Sequence, residues 1–207
     1  MKCKVRDVPV HYVEHGDGAQ ILVLHGAGVD HQEMVGAIEP VFRDISDYRR
    51  IYPDLPSMGR TPAPDTINSA DNVLDLLLGL VDGVVGDREL LVIGHSAGGY
   101  YARAIANRRP DQVIGLALIC PLVENLHDVP AHGAVHASAD LDDLLSPAEQ
   151  TGFQNYFVVQ TPATLDRYRE YVAPPSPWPT RPAWSGSANA GCSASVPKKG
   201  RRTRTRP

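Results

Sequence analysis

Residues 90–106 read LLVIGHSAGGYYARAIA: an apolar run, a serine bracketed by glycines, then a helix-forming stretch. No other feature of the chain constrains its fold as strongly. A short Leu/Val/Ile run stopped by glycine has the pattern of a strand buried on both faces. A tight turn that leads directly into a helix tolerates only small flanking residues, because strand-end backbone and helix would otherwise collide. Gly94, Gly98 and Gly99 meet that need. The joint matches G-x-S-x-G with the strand before and the helix after that the motif requires. Ser96 is therefore a candidate nucleophile, and the free N–H groups at the helix start face any negative charge developing there. The alternative is a glycine-rich turn with an incidental serine.

The residues around this joint repeat the same rhythm. VHYVEHG alternates apolar and polar side chains and ends in a turn at Gly16, and QILVLHG is a buried-strand run. HQEMVGAIEPVFRD reads as a helix, YRRIYPDLP as a strand cut off by Pro53 and Pro56, and SADNVLDLLLGLVDGVV as a helix capped by Ser69. Strand QVIGLALICP follows the helix after Ser96. Strands alternating with helices predict an α/β fold: a mostly parallel sheet with helices on both faces. After Pro121 the rhythm changes. Residues 122–172 offer helical pieces, DLDDLLSPAEQ and PATLDRYREYV, and no strong strand. The expected organisation is a core over residues 1–120, a small helical cap over 121–172 and a tail over 173–207.

His25-Gly26-Ala27-Gly28 closes the earlier buried strand. A serine hydrolase needs a second backbone donor for its oxyanion, besides the N–H after the nucleophile. An HG-x-x turn supplies it, which assigns the Ala27 and Ala97 N–H groups as donors. Gly94, His95, Gly98, His25 and Gly26 support the elbow and the turn. The HG-x-x motif alone reads equally well as a structural turn. DLPSMGRT, residues 54–61, is by itself a Pro- and Gly-punctuated loop.

LHGAG, DLPSMGRT and GHSAGG, in this order and at these intervals, resemble the α/β-hydrolase superfamily. The likeness spans about residues 5–172 and is nearest to small serine esterases, lactonases and cofactor-free haloperoxidase-like members. It implies a cap roofing the pocket, an acyl-enzyme on Ser96 and no cofactor or metal. Members that open epoxides or displace halide carry aspartate at the nucleophile position, and dienelactone hydrolases carry cysteine. Serine at 96 therefore points to ester, lactone or thioester cleavage, with peroxide-dependent acyl chemistry and carbon–carbon hydrolysis as variants.

Such a serine is weak until a histidine takes its proton and an acid orients that histidine. The chain order expected is Ser, acid, His, on loops after later strands. After Ser96 the histidines are His127, His132 and His136, all in LHDVPAHGAVH within the expected cap. Their mixed spacing, with no confirming carboxylate, reads as exposed cap residues rather than metal ligands. His95 adjoins the serine, so its ring is expected to point away. Glu124 stands where some members carry an alternative acid. The strands that should bear acid and base have no counterpart, so the sheet is expected to be incomplete at its C-terminal edge and catalysis impaired.

Composition sharpens that expectation. The net charge of −4 conceals an asymmetry: residues 173–207 hold seven Lys and Arg and no acid. Residues 1–172 hold 13 basic and 24 acidic side chains, a net of −11. Trp178, Trp184 and seven of the eighteen prolines also fall in the tail. One account is a disordered basic arm; another is a shifted reading frame after about residue 172. Taking the third base of each codon with the first two of the next permits AAFALADEAGLERIRERWLLSVGPEEG, a charged and helical string. A non-catalytic ligand-binding or defunct member of the fold is the competing class.

No apolar run approaches a membrane span and the N-terminus lacks an apolar signal core, so a cytoplasmic protein without membrane partners is expected. Cys3, Cys120 and Cys192 are scattered and read as reduced thiols. The basic tail lacks interleaved aromatics, so no specific nucleic-acid partner is expected. The expected partner is a small acyl substrate, and the sequence does not give the oligomeric state.

Overall fold

The computed structural model describes residues 1–122, 137–138, 141 and 144–173. The apolar strands of the N-terminal part come together because β-branched and leucine side chains alternate across them and need cover on both faces. Ala19–Leu24 (β3) shows this most directly. Its Ile21 and Val23 pack with Met34, Ile38 and Tyr52 on one face. Its Leu22 and Leu24 pack on the other face in a larger core with Leu77, Leu80, Val92 and Ile105.

Lys2–Val5 (β1) and Val8–His15 (β2) form an antiparallel hairpin, and β2 runs antiparallel to Tyr48–Pro53 (β4). Strands β4 and β3 are parallel, as are β3 with Leu90–His95 (β5) and β5 with Val113–Ile119 (β6). The sheet order is β1-β2-β4-β3-β5-β6. His31–Ile38 (α1) covers one face; Ala70–Val84 (α2) and Ala97–Arg108 (α3) cover the other. This is the α/β architecture expected from the sequence. Ser69 caps α2 through its side chain, which accepts the Asn72 N–H.

Three local features depart from the expectations. The helix expected over residues 31–44 stops at Ile38, and a 3-10 turn carries Glu39–Phe42. Pro40 has no N–H to continue the ladder. β1 was not anticipated because KCKV carries two lysines; as an edge strand it keeps them in solvent. The helix expected over DLDDLLSPAEQ begins only at the Ser146 cap, giving Pro147–Tyr156 (α4).

Pro162–Tyr171 (α5) follows, and Ala137–Ser138 (β7) pairs in parallel with Val159–Gln160 (β8). Leu141, Phe153, Leu165 and Tyr168 give this helical unit its own small core. It rests on α1 through Tyr171: a methyl group at Gly36 would stand 2.5 Å from the Tyr171 ring.

Among the described residues β6 is the last strand of the sheet. Ile114, Leu116, Leu118 and Ile119 remain exposed on it, Ile114 by 58%. Beside it lies an open apolar groove of about 380 Å³, with Ile21, Phe42, Ile45, Ile93 and Leu116 among its lining residues. An unpaired apolar edge templates association with other chains. Ile114→Lys is expected to slow aggregation while changing unfolding free energy by under about 0.5 kcal/mol. Light scattering during heating and urea denaturation measure the two effects.

Candidate active site

Parallel pairing sets Leu24 beside Gly94, so the turn after β3 and the joint after β5 leave the same edge of the sheet. Ser96 holds φ 48° and ψ −115°, a conformation L-residues rarely adopt. The surroundings hold it there. The Ser96 N–H donates to the Ile119 carbonyl at 3.0 Å, and the Ser96 carbonyl accepts the Leu122 N–H at 2.9 Å. Both bonds tie the elbow to the end of β6. The same carbonyl accepts the Tyr100 N–H at 3.2 Å, which opens α3.

Close packing explains the glycines. A Cβ on Gly98 would lie 2.3 Å from the Leu24 carbonyl oxygen and 2.6 Å from that of His25. One on Gly94 would lie 2.4 Å from the Gly98 oxygen. At Gly99 it would meet Pro121 at 2.9 Å. The start of α3 thus abuts the end of β3 backbone to backbone. Ala97 is the first residue of α3, so its N–H has no intrahelical acceptor.

The HG-x-x turn is built around the fully buried His25. Its Nε2 accepts the Leu55 N–H at 2.9 Å, so the ring proton sits on Nδ1, which donates to the Gly26 carbonyl at 2.7 Å. Burial pushes the His25 pKa down and keeps the ring neutral. The bond has a geometric consequence. The Gly26 carbonyl and the Ala27 N–H share one trans peptide unit and point opposite ways. Holding the carbonyl toward His25 turns the Ala27 N–H away from it. The preceding peptide is held as well: the Gly26 N–H donates to Glu33 Oε2 at 2.9 Å. Glu33 Oε1 lies 2.7 Å from His95 Nδ1. The His95 ring therefore turns toward α1 and the HG-x-x turn.

DLPSMGRT wraps its own first residue. The Asp54 carboxylate is fully buried. Oδ1 accepts the His31 N–H at 3.0 Å and His31 Nδ1 at 2.7 Å; Oδ2 accepts the Arg60 N–H at 2.8 Å and His11 Nδ1 at 2.9 Å. A Cβ at Gly59, where φ is +52°, would fall 2.4 Å from the carboxylate. Burial opposes ionisation here, but the bonds from His31 and from the Arg60 and His31 N–H groups outweigh it. They hold the carboxyl at about 2 instead of 3.8. Among the described residues, His11, His31 and Asp54 bring ligand-type atoms within 4.8 Å of one another. Both rings donate through Nδ1 to the ionised carboxylate, so a cation would have to displace both ring protons.

Asp54, His31, His11 and Glu33 were missed by motif reasoning, although Asp54 opens the DLPSMGRT string. Glu124, His127, His132, His136 and Cys192 lie outside the described residues. Among the described residues no helix is long and apolar enough to cross a membrane.

Comparison with known proteins identifies the family. Residues 21–203 match the Alpha/beta hydrolase family. The chain belongs to that family. Lipase LipV of Mycobacterium tuberculosis is 33% identical over 146 residues, covering 69% of this chain and 52% of that protein. Pimeloyl-[acyl-carrier protein] methyl ester esterase of Shewanella woodyi is 31% identical over 110 residues, covering 53% and 39%. An alpha/beta superfamily hydrolase from Oenococcus oeni PSU-1 superposes with a TM-score of 0.70 at 30% identity, covering 79% of this chain and 61% of that one. The chain spans about half or less of the length of the curated relatives it matches.

Two predictions follow from the packing. Gly98→Ala is expected to cost more than about 2 kcal/mol, since backbone must move to admit the methyl group. Urea denaturation showing a change under about 0.5 kcal/mol would contradict the close approach. Asp54 has its folded pKa depressed, so its contribution, about 2 kcal/mol, is present above about pH 4 and lost as pH falls toward 2. Asp54→Asn should weaken the fold at pH 7 by about that amount and flatten its stability between pH 4 and 2, as followed by circular dichroism.

Proposed function

We propose that this chain carries the nucleophile and oxyanion half of a serine hydrolase acting on carboxylic esters. The observation that carries the reading is the Ser96 backbone: a positive φ, held by bonds to the end of β6 at the head of α3. A strained, over-determined turn of this kind presents the serine Oγ at the top of the sheet. Ser96 Oγ attacks the acyl carbonyl, and the Ala97 and Ala27 N–H groups stabilise the oxyanion. Its collapse expels the alcohol with the proton that Ser96 gives up, and water then cleaves the Ser96 ester to release the acid. The bond between His25 and the Gly26 carbonyl supports the Ala27 assignment, because it orients that N–H. The curated relatives named as a lipase and as methyl ester esterases favour a carboxylic ester. A haloalkane dehalogenase is also similar, at 27% identity, but serine in place of aspartate at position 96 argues against halide displacement.

Proton transfer is the weak step. No histidine occurs after His136, and none of those after Ser96 follows a strand signal in the sequence. We infer that turnover in this chain is impaired and that the cap over 121–172 shapes the substrate pocket. The missing histidine also favours a second reading, a non-catalytic ligand-binding protein, for which thermal-shift screening is the direct assay. The composition after 172 supports a shifted frame, whereas the family match running to residue 203 weighs against it. The nucleotide sequence downstream of codon 172 decides between them: a family-like strand and late histidine in the alternative frame are expected.

The functional test is p-nitrophenyl acetate cleavage, with intact mass spectrometry for acetylated protein. Acylation should occur and vanish in Ser96→Ala. Turnover should fall on the order of a millionfold below an enzyme with its base. Cleavage indifferent to Ser96→Ala would sink the reading, and rates typical of complete esterases would overturn the impairment.

A further inference from the structure

Glu33 is a buried carboxylate on α1 with no place in an acyl-transfer mechanism. Burying a carboxylate is costly unless it is paired and hydrogen-bonded. Two of the contacts Glu33 makes meet at one point. Oε2 takes the Gly26 N–H at 2.9 Å, and Oε1 faces His95 Nδ1 at 2.7 Å. Gly26 precedes the oxyanion donor assigned to Ala27; His95 precedes Ser96. One side chain thus bridges the backbone of the turn to the strand end that carries the serine. The fit leaves no slack: a Cβ on Gly26 would lie 2.9 Å from His95 Nδ1 and 3.5 Å from Glu33 Oε1.

We propose that Glu33 and His95 form a positioning pair that fixes the oxyanion turn against the nucleophile elbow and neutralises the carboxylate lying beside it. The inference rests on the proposed roles of Ser96 and Ala27. Orientation comes first. Glu33 holds the 25–26 peptide and His25 holds the 26–27 peptide, so two successive units of the turn are pinned by side chains. With Glu33 absent, its hold on the first is lost. Charge comes second. A bare carboxylate beside the turn would repel the oxyanion, and a protonated His95 cancels it.

The surrounding groups define when that cancellation holds. Glu33 raises the His95 pKa, chiefly through their direct contact, against the opposing effect of burial. His25, neutral and on the other side of Gly26, adds no charge. Asp30 and Asp54 are further acids whose fields, with that of Glu33, reach His25. Because the folded pKa of His95 is raised, the neutral pair persists below that pKa. As pH rises through it, the His95 charge beside Glu33 is lost.

The test has two readouts on the full chain. In a pH titration followed by amide and imidazole NMR, the Gly26 N–H should move with the same midpoint as the His95 ring, above the ordinary imidazole value. Glu33→Gln should keep an acceptor for that N–H but abolish the coupled movement. A Gly26 resonance that stays fixed while His95 titrates would overturn the proposal, with no variant required. In Ser96-dependent acylation by p-nitrophenyl acetate, Glu33→Ala should slow the acylation step about 10- to 100-fold with apparent KM little changed. Glu33→Gln should restore part of the rate and remove its decline at alkaline pH. Equal acylation rates in Glu33→Ala and the parent would also overturn it. If the parent shows no Ser96-dependent acylation, the proposed function fails, and the titration alone decides whether the pair governs the turn.

Discussion

The contact on which this molecule depends is the approach of the α3 N-terminus to the end of β3. At Gly98 the helix backbone stands so near the Leu24 and His25 carbonyls that a single methyl group has no room. That distance fixes where α3 begins relative to the neighbouring strand and forces the abrupt turn at Ser96. The strain of a positive-φ serine is tolerable only because its N–H and carbonyl are both engaged by the end of β6. Strand, elbow and helix are one rigid object, and the two faces of apolar packing on β3 and β5 hold it in register.

A second constraint acts through buried polar groups rather than packing. His25, Asp54 and Glu33 are each buried and each hydrogen-bonded to backbone N–H groups. Backbone donors in turns need partners when water is excluded, and side chains supply them here. The DLPSMGRT loop is joined to the HG-x-x turn by the Leu55 N–H, and to α1 and β2 through Asp54. The three motifs of the sequence therefore form one connected network at the C-terminal edge of the parallel strands, where ligands of open α/β sheets bind.

What the sequence made legible follows the range of the physics involved. Local signals sufficed for β3, β5, β6 and the Ser69-capped α2, because apolar periodicity and caps act within a few residues. The elbow was legible because its glycines answer a local steric demand. Glu33 and His95 lie more than sixty residues apart, and Asp54 binds His11 from one strand and His31 from a helix. Neither grouping has a spacing rule, since both arise from the sheet order β2-β4-β3-β5. The β1 strand was hidden for the opposite reason. Its two lysines mask a short edge element whose pairing, not its composition, makes it a strand.

The division of labour along the chain carries a mechanistic consequence. Among the described residues, the groups that shape the elbow and the turn run from His11 to Leu122. The proton-transfer partners of a serine nucleophile belong to later segments in the expected chain order. Oxyanion stabilisation and proton transfer are separable contributions, and the former alone retains a rate advantage of ~10³–10⁴ over water in serine proteases stripped of their triads. On the proposed reading, residues 1–122 are a preorganised electrophile site whose accuracy does not depend on a base. On that same reading, the Glu33–His95 contact and the neutral His25 supply the preorganisation. A base supplied later in such a chain meets a serine already in place.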